Sequence, residues 1–248
     1  MKLRTPLLGA LLLTAAGLSF AAGPAHWDYE GHAGTDHWGE LDPAFKTCKN
    51  GRQQSPINIA GAAKSAALKP IVFHYAASAA EVVNNGHTIQ VNLADGGSIE
   101  LGGEIFKLLQ FHFHTPSEEQ IDGRHFPMVA HLVHKSAAGK LAVVAVLLEL
   151  GNENAVLKPV FDNMPAQSGA TQALAARFNV ADLLPSNRAY YAFQGSLTTP
   201  PCSEGVRWQV LQQPVAISVG QFAAFKGLYP MNARPIQPLH GRKVHSSR

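Results

Sequence analysis

A mainly β, largely antiparallel fold in a single domain is what this sequence predicts, and three observations carry it. Short β-like runs alternate with turn signals along most of the chain. Helical patterns are few and short. No stretch has the composition of an interdomain linker, and 248 residues lie within the length that one β-rich domain commonly reaches.

In chain order, the first residues read as an export signal. Lys2 and Arg4 give a short basic start, Leu7 to Leu18 is nearly all apolar, and Ser19-Phe20-Ala21 is a small-x-small cleavage site. Residues 1–21 are therefore expected to be a signal peptide and residues 22–248 the domain. An uncleaved anchor is the alternative, but the apolar run is short for a span and is soon followed by the polar "HWDYE". Strand-like runs follow at Thr88–Leu93 before "ADGG", Glu104–Phe113 before "HTPS", and Met128–Lys135 before "SAAGK". Leu141–Leu150 and Val206–Leu211 continue the pattern. One helix start is well marked, because Ser218 and Gln221 are spaced as a capping box, with Phe222 and Phe225 as its apolar face.

Charge excludes some partners. Without Lys2 and Arg4 the formal net charge falls from +3 to +1, and there is no basic cluster to hold nucleic acid or anionic lipid. Cys48 and Cys202 are the two cysteines. An isolated pair in an exported chain ordinarily bonds, which would contribute about 2–5 kcal/mol.

The segment "QFHFHTPSEE" is the chemically unusual one. Residues i and i+2 of a strand share a face, so His112 and His114 point one way with Gln110, and Phe111 and Phe113 point the other. The run "MVAHLVHK" follows a turn at Asp122-Gly123 and can pair antiparallel with the first strand. His131 and His134 face opposite sides of that run, so only one of them can join the pair. Three imidazoles on one face with no fourth protein ligand suit an open catalytic zinc site. An isolated His-x-His on a sheet is ordinarily a solvated face. The spacing His-x-His-x16-His shifts the balance, since a buried polar cluster is costly unless paired or coordinated.

The blocks "HWDYEGHAGTDHWGEL", "QQSPINI", "NNGHTIQVN", "LLQFHFHTPSE", "AHLVHK", "GSLTTPPCSEGVRW" and "MNARPIQPL", in this order, resemble the α-class carbonic anhydrases over almost the whole mature chain. They are most similar to the exported bacterial type, in which two cysteines form a disulfide. The resemblance implies a large twisted central sheet with short peripheral helices. It implies Zn2+ held by His112, His114 and His131, and reversible hydration of CO2 to bicarbonate and a proton by a zinc-bound hydroxide. It gives Thr198 and Glu118 a hydrogen-bond relay, His87 the proton shuttle, and Val133, Val143, Leu197 and Trp208 the apolar CO2 wall. Tyr29, Asn84 and Asn85 fit a polar lining beside His87. For "SEEQ" a capping box of Ser117 with Gln120 is the competing reading, but the Asp-Gly turn leaves no room for a helix.

Metal-bound imidazoles usually give their second N–H to an acceptor. Gln110 would serve His112, and the backbone near Asn232 would serve His114. For His131 the family commonly has a glutamate two residues earlier, and this chain has Val129. Glu119 stands where the family often has a histidine, and Phe193 where it often has a tyrosine. Glu119 is therefore expected to reach the free N–H of His131. Partners implied are CO2 and bicarbonate, with no nucleic acid, no membrane once the leader is removed, and a homodimer left open. The location implied is periplasmic or secreted. The competing function is a catalytically weak binding or adhesion module on the same scaffold.

Overall fold

The structure is a computed structural model and describes residues 25–248. The leader expected from the sequence, and its expected cleavage after Ala21, lie outside these residues. No described helix is long and apolar enough to cross a membrane.

Seven strands carry the architecture: β1 (Ala80–Asn84), β2 (Ile89–Leu93), β3 (Glu104–His114), β4 (Met128–Ser136), β5 (Leu141–Leu150), β6 (Tyr190–Ser196) and β7 (Glu204–Leu211). They lie side by side in the order β1-β2-β3-β4-β5-β7-β6 within a sheet of thirteen strands among the described residues. Every neighbouring pair in that order is antiparallel except β5 and β7, which run parallel from Ala142↔Arg207 to Ala145↔Val210. The sheet is thus mixed, with the antiparallel character the sequence predicts. All five predicted runs became strands, with ends within a few residues of those expected. Helix α1 (Val219–Leu228) starts at Ser218, whose hydroxyl accepts from the Gln221 N–H while the Gln221 side chain accepts from the Ser218 N–H. Such a cap is worth about 1 kcal/mol.

Each face of the sheet buries its own apolar layer. One layer takes Phe106, Leu108, Phe111, Phe113, Leu132, Val144 and Leu211. The other takes Val129, Val133, Val143, Ala145, Phe193, Trp208 and Val210. Alternation along β5 explains why its residues from Ala142 to Leu148 are all buried, since both faces are covered.

Strand β3 breaks alternation once. Val133 lies opposite Gln110, but the next residue, His134, lies opposite Leu108. Leu109 is the extra residue of a bulge, and it is exposed. Upstream of it the even-numbered Phe106 and Leu108 face the large core; downstream the odd-numbered Phe111 and Phe113 do. The slip therefore lets one strand feed the same core from end to end while His112 and His114 fall on the opposite face.

A small three-stranded sheet stands beside the main one. Asn58–Ile59 runs parallel to Gln120–Ile121, which pairs antiparallel with Arg124–His125. "SEEQ" forms no helix. The Ser117 hydroxyl donates to the Glu119 carbonyl at 2.7 Å, and Gln120 enters the small sheet.

Cys48 and Cys202 are disulfide-bonded, joining positions 154 residues apart. Cys202 is buried with Tyr29 and Trp38. The bond is the one the sequence predicts, and it ties the Thr198–Cys202 loop to the first short helices.

Candidate metal centre

Register brings the three histidines together. His131 of β4 lies opposite His112 of β3, and His114 lies one pleat along, opposite Val129. One nitrogen from each of His112, His114 and His131 lies within 4.8 Å of the others. His134 is on the other face, where its Nε2 meets the Tyr75 hydroxyl at 2.8 Å.

Hydrogen bonds decide which nitrogen of each ring remains free. His112 Nδ1 meets Gln110 Oε1 at 2.9 Å. His114 Nδ1 donates to the Asn232 carbonyl at 2.7 Å. His131 is held through its other nitrogen: Nε2 hydrogen-bonds Glu119 Oε2 at 3.2 Å, with Oε1 at 3.1 Å in poorer alignment. The nitrogens left over are Nε2 of His112, Nε2 of His114 and Nδ1 of His131. His114 Nε2 is buried and has no hydrogen-bond partner. Three such lone pairs, each with its ring oriented from behind, are the donor set a tetrahedral divalent cation of the zinc type needs.

Charge is distributed unevenly around these rings. Burial drives His112 down to about 3, with the charge of His131 adding to it, and His114 is depressed for the same reasons. Burial also lowers His131, but the Glu119 carboxylate, by charge and hydrogen bond, and then Glu118 reverse it, and the net shift is upward. Neutral His112 and His114 keep the lone pairs that a cation requires.

Glu118 is fully buried. Its Oε1 accepts from the Arg234 N–H at 2.8 Å, while Oε2 has no hydrogen-bond partner and lies 3.5 Å from His114 Nε2 and 3.7 Å from His131 Nδ1. Burial raises its carboxyl to about 7, against opposing contributions that include His131 and the Thr198 hydroxyl. Thr198 thus stands near Glu118, although no hydrogen bond of normal geometry joins them.

The expected apolar wall shares the histidine face. Gln110, Val133, Val143, Trp208 and Phe193 form one row across five strands, beside the row of His112, His131, Ala145 and Val210. Leu197 packs against the same cluster. The Trp208 indole also meets His131 edge-on, with centroids 4.9 Å apart.

A cleft of about 130 Å³ descends to His112 and His114, lined by Tyr29, Asn85, His87, Gln90, Gln110 and Thr199 among others. His87 is half-buried and stacked on Trp27, with centroids 3.7 Å apart and planes 9° off parallel. Its pKa is lowered, chiefly by burial. Asn85 lines the cleft, but Asn84 does not, which corrects the expectation for that residue. The Asn84 amide donates to the Pro165 carbonyl, and its oxygen accepts from Gly86 N–H and the Tyr229 hydroxyl. Its side chain is taken up by these contacts and braces the turn that follows the strand, whereas Asn85 lies beyond the strand end.

Two contributors escaped the sequence reading. Trp27 carries the stacking partner of His87, and nothing in its spacing marks it. Arg234, inside "MNARPIQPL", donates from its guanidinium to Gln54 Oε1 and to the Ser55 and Cys48 carbonyls, all at 2.8–2.9 Å.

Comparison with known proteins agrees with this geometry. The family model for the eukaryotic-type carbonic anhydrase matches residues 33–248. A carbonic anhydrase of Klebsiella pneumoniae is 44% identical over 98% of this chain and 99% of that protein. One from Pectobacterium carotovorum is 43% identical over 95% of this chain and 96% of that protein. Among solved structures, the α-carbonic anhydrase from Thermovibrio ammonificans in complex with the inhibitor sulfanilamide superposes with a TM-score of 0.88. It is 46% identical and covers 90% of this chain and 100% of that one. Matched over this length, with three imidazole nitrogens converging beside a cleft, the chain belongs to the eukaryotic-type carbonic anhydrase family.

Proposed function

We propose that the chain is an exported zinc enzyme that interconverts CO2 and bicarbonate, with residues 1–21 as a cleaved leader and residues 22–248 as the catalytic domain. The observation that carries this reading is the trio of imidazole nitrogens within 4.8 Å, each ring held from behind by a separate acceptor. The disulfide supports an oxidising destination, periplasmic or extracellular.

His112, His114 and His131 would hold the metal. A zinc ion there supplies the Lewis acidity that brings a water's pKa to about 7, a general value for carbonic anhydrase rather than one obtained from this chain. The remaining work falls to the protein. Thr198, which stands near Glu118, would donate its hydroxyl hydrogen to that carboxylate after a small adjustment and so keep only acceptor capacity toward the metal. It then selects a partner that carries a proton and fixes how that partner is turned. The Arg234 N–H on Oε1 helps Glu118 stay an acceptor. Val133, Val143, Leu197 and Trp208 offer an uncharged molecule an apolar surface next to the histidines. His87, an imidazole at the cleft wall whose pKa burial lowers, is suited to pass the product proton to buffer.

The weak binding module drew its support from the missing acid at position 129, and the contact of Glu119 with His131 removes that support. The deciding experiment is stopped-flow CO2 hydration by the purified protein, with and without a chelator, beside His112→Ala. The parent should be fast and the other two at background. Equal rates in all three would end the enzyme reading.

A further inference from the structure

We infer that Glu119 positions His131 for the metal, a task that this chain has moved off the strand carrying the histidine. The inference rests on the metal-centre reading above.

An imidazole that gives one nitrogen to a metal presents an N–H on the other, and a buried N–H must find an acceptor. His112 finds it two residues upstream on its own strand, in the Gln110 side chain. The equivalent position for His131 is 129, and it holds a fully buried valine that can accept nothing. The bend that leads into the adjacent small sheet supplies the replacement. Glu119 is itself fully buried, and both its oxygens lie 3.1–3.2 Å from His131 Nε2.

The segment that delivers this carboxylate is fixed at several points. The Glu119 carbonyl accepts from the Ser117 hydroxyl, whose oxygen also accepts the Phe126 N–H at 2.8 Å. Ser117 N–H donates to the Phe126 carbonyl at 2.9 Å, and Gln120 N–H to the Ile57 carbonyl at 3.3 Å. A carboxylate on so constrained a backbone holds the His131 ring in one orientation and keeps the proton on Nε2. That leaves the Nδ1 lone pair on the side of the free nitrogens of the other two rings. No other hydrogen-bond partner of the Glu119 side chain exists among the described residues. A buried carboxylate with one partner is costly as mere packing, and orienting His131 accounts for it.

The test uses full-length protein, three variants and zinc alone as the ligand. Zinc affinity is read by competition with a chromophoric chelator, zinc release by transfer to excess chelator, and folding by circular dichroism and melting. Glu119→Leu should weaken zinc binding about 10–100-fold and speed release, while Glu119→Gln, which keeps an acceptor without the charge, should fall between it and the parent. Adding Val129→Glu to Glu119→Leu should restore part of the loss by returning the acid to the histidine's own strand. A folded Glu119→Leu that holds zinc within about twofold of the parent overturns the inference. If the double variant does not fold, the Leu and Gln variants decide alone. A parent that binds no zinc, or a His112→Ala variant that binds it as well as the parent, condemns the metal-centre reading instead.

Discussion

His131 and His134 stand three residues apart on β4, both closed to solvent, and their surroundings treat them in opposite ways. His131 lies between two buried carboxylates, Glu119 at Nε2 and Glu118 toward Nδ1, and its pKa is raised despite the burial. His134 faces a hydroxyl, Tyr75, and burial drives it down to about 3. The pleat sends one ring to a polar cup and the other to the large core. Residue type therefore says little about role here, and the neighbours across the sheet say most of it.

The largest test of that contrast removes each ring in turn. His131→Ala should abolish stoichiometric zinc binding and bring CO2 hydration to background, whereas His134→Gln should keep both near the parent. Metal analysis and stopped flow on the same preparations check this, and an inactive but zinc-loaded His134→Gln would break it. Thr198→Ala should lower the hydration rate about 100-fold with zinc still bound; the same assay reads it.

The His134 side makes its own prediction, in stability against pH. Its folded pKa lies below the unfolded value, so on acidification the unfolded chain takes up the proton first. Stability from the neutral ring is complete above about pH 6.5 and declines as pH falls toward about 3, by roughly 2–4 kcal/mol. Tyr75, the titratable group facing it, stays protonated there because burial raises its pKa well above 10.0. Urea unfolding from pH 7 to 4 should show a shallower slope for His134→Phe than for the parent; identical slopes would assign the acid sensitivity elsewhere. The smallest expected effect is at the cleft mouth. His87→Ala should cut turnover about 10-fold in dilute buffer, with recovery on adding imidazole.

The strands, the facing pair His112 and His114, the cap of α1 and the cysteine pair were legible because each is written in local spacing or type. The choice of His131 over His134 was not settled by alternation alone, since alternation separates the two without saying which face is the cup. The family resemblance named His131, and the register of β4 against β3, a long-range fact, supplies the physical reason. Asn84 differs from its polar neighbour Asn85 because its amide is held by the Pro165 carbonyl, a partner distant along the chain. Arg234 and Trp27 were silent for a related reason: their partners Glu118 and His87 are far away along the chain. Position 119 could be suspected from the valine at 129, but only folding the small sheet against β4 puts the acid within reach.

The extra residue at Leu109 carries one more lesson, about insertion and deletion. Its side chain is exposed and touches neither core nor cup, so almost any substitution there should be harmless. Removing it is another matter, because the two halves of the strand would then disagree by one step. Either Phe106 and Leu108 would turn away from their apolar layer, or the histidines would be driven into it. In this segment the count of residues matters more than the identity of the one in the middle.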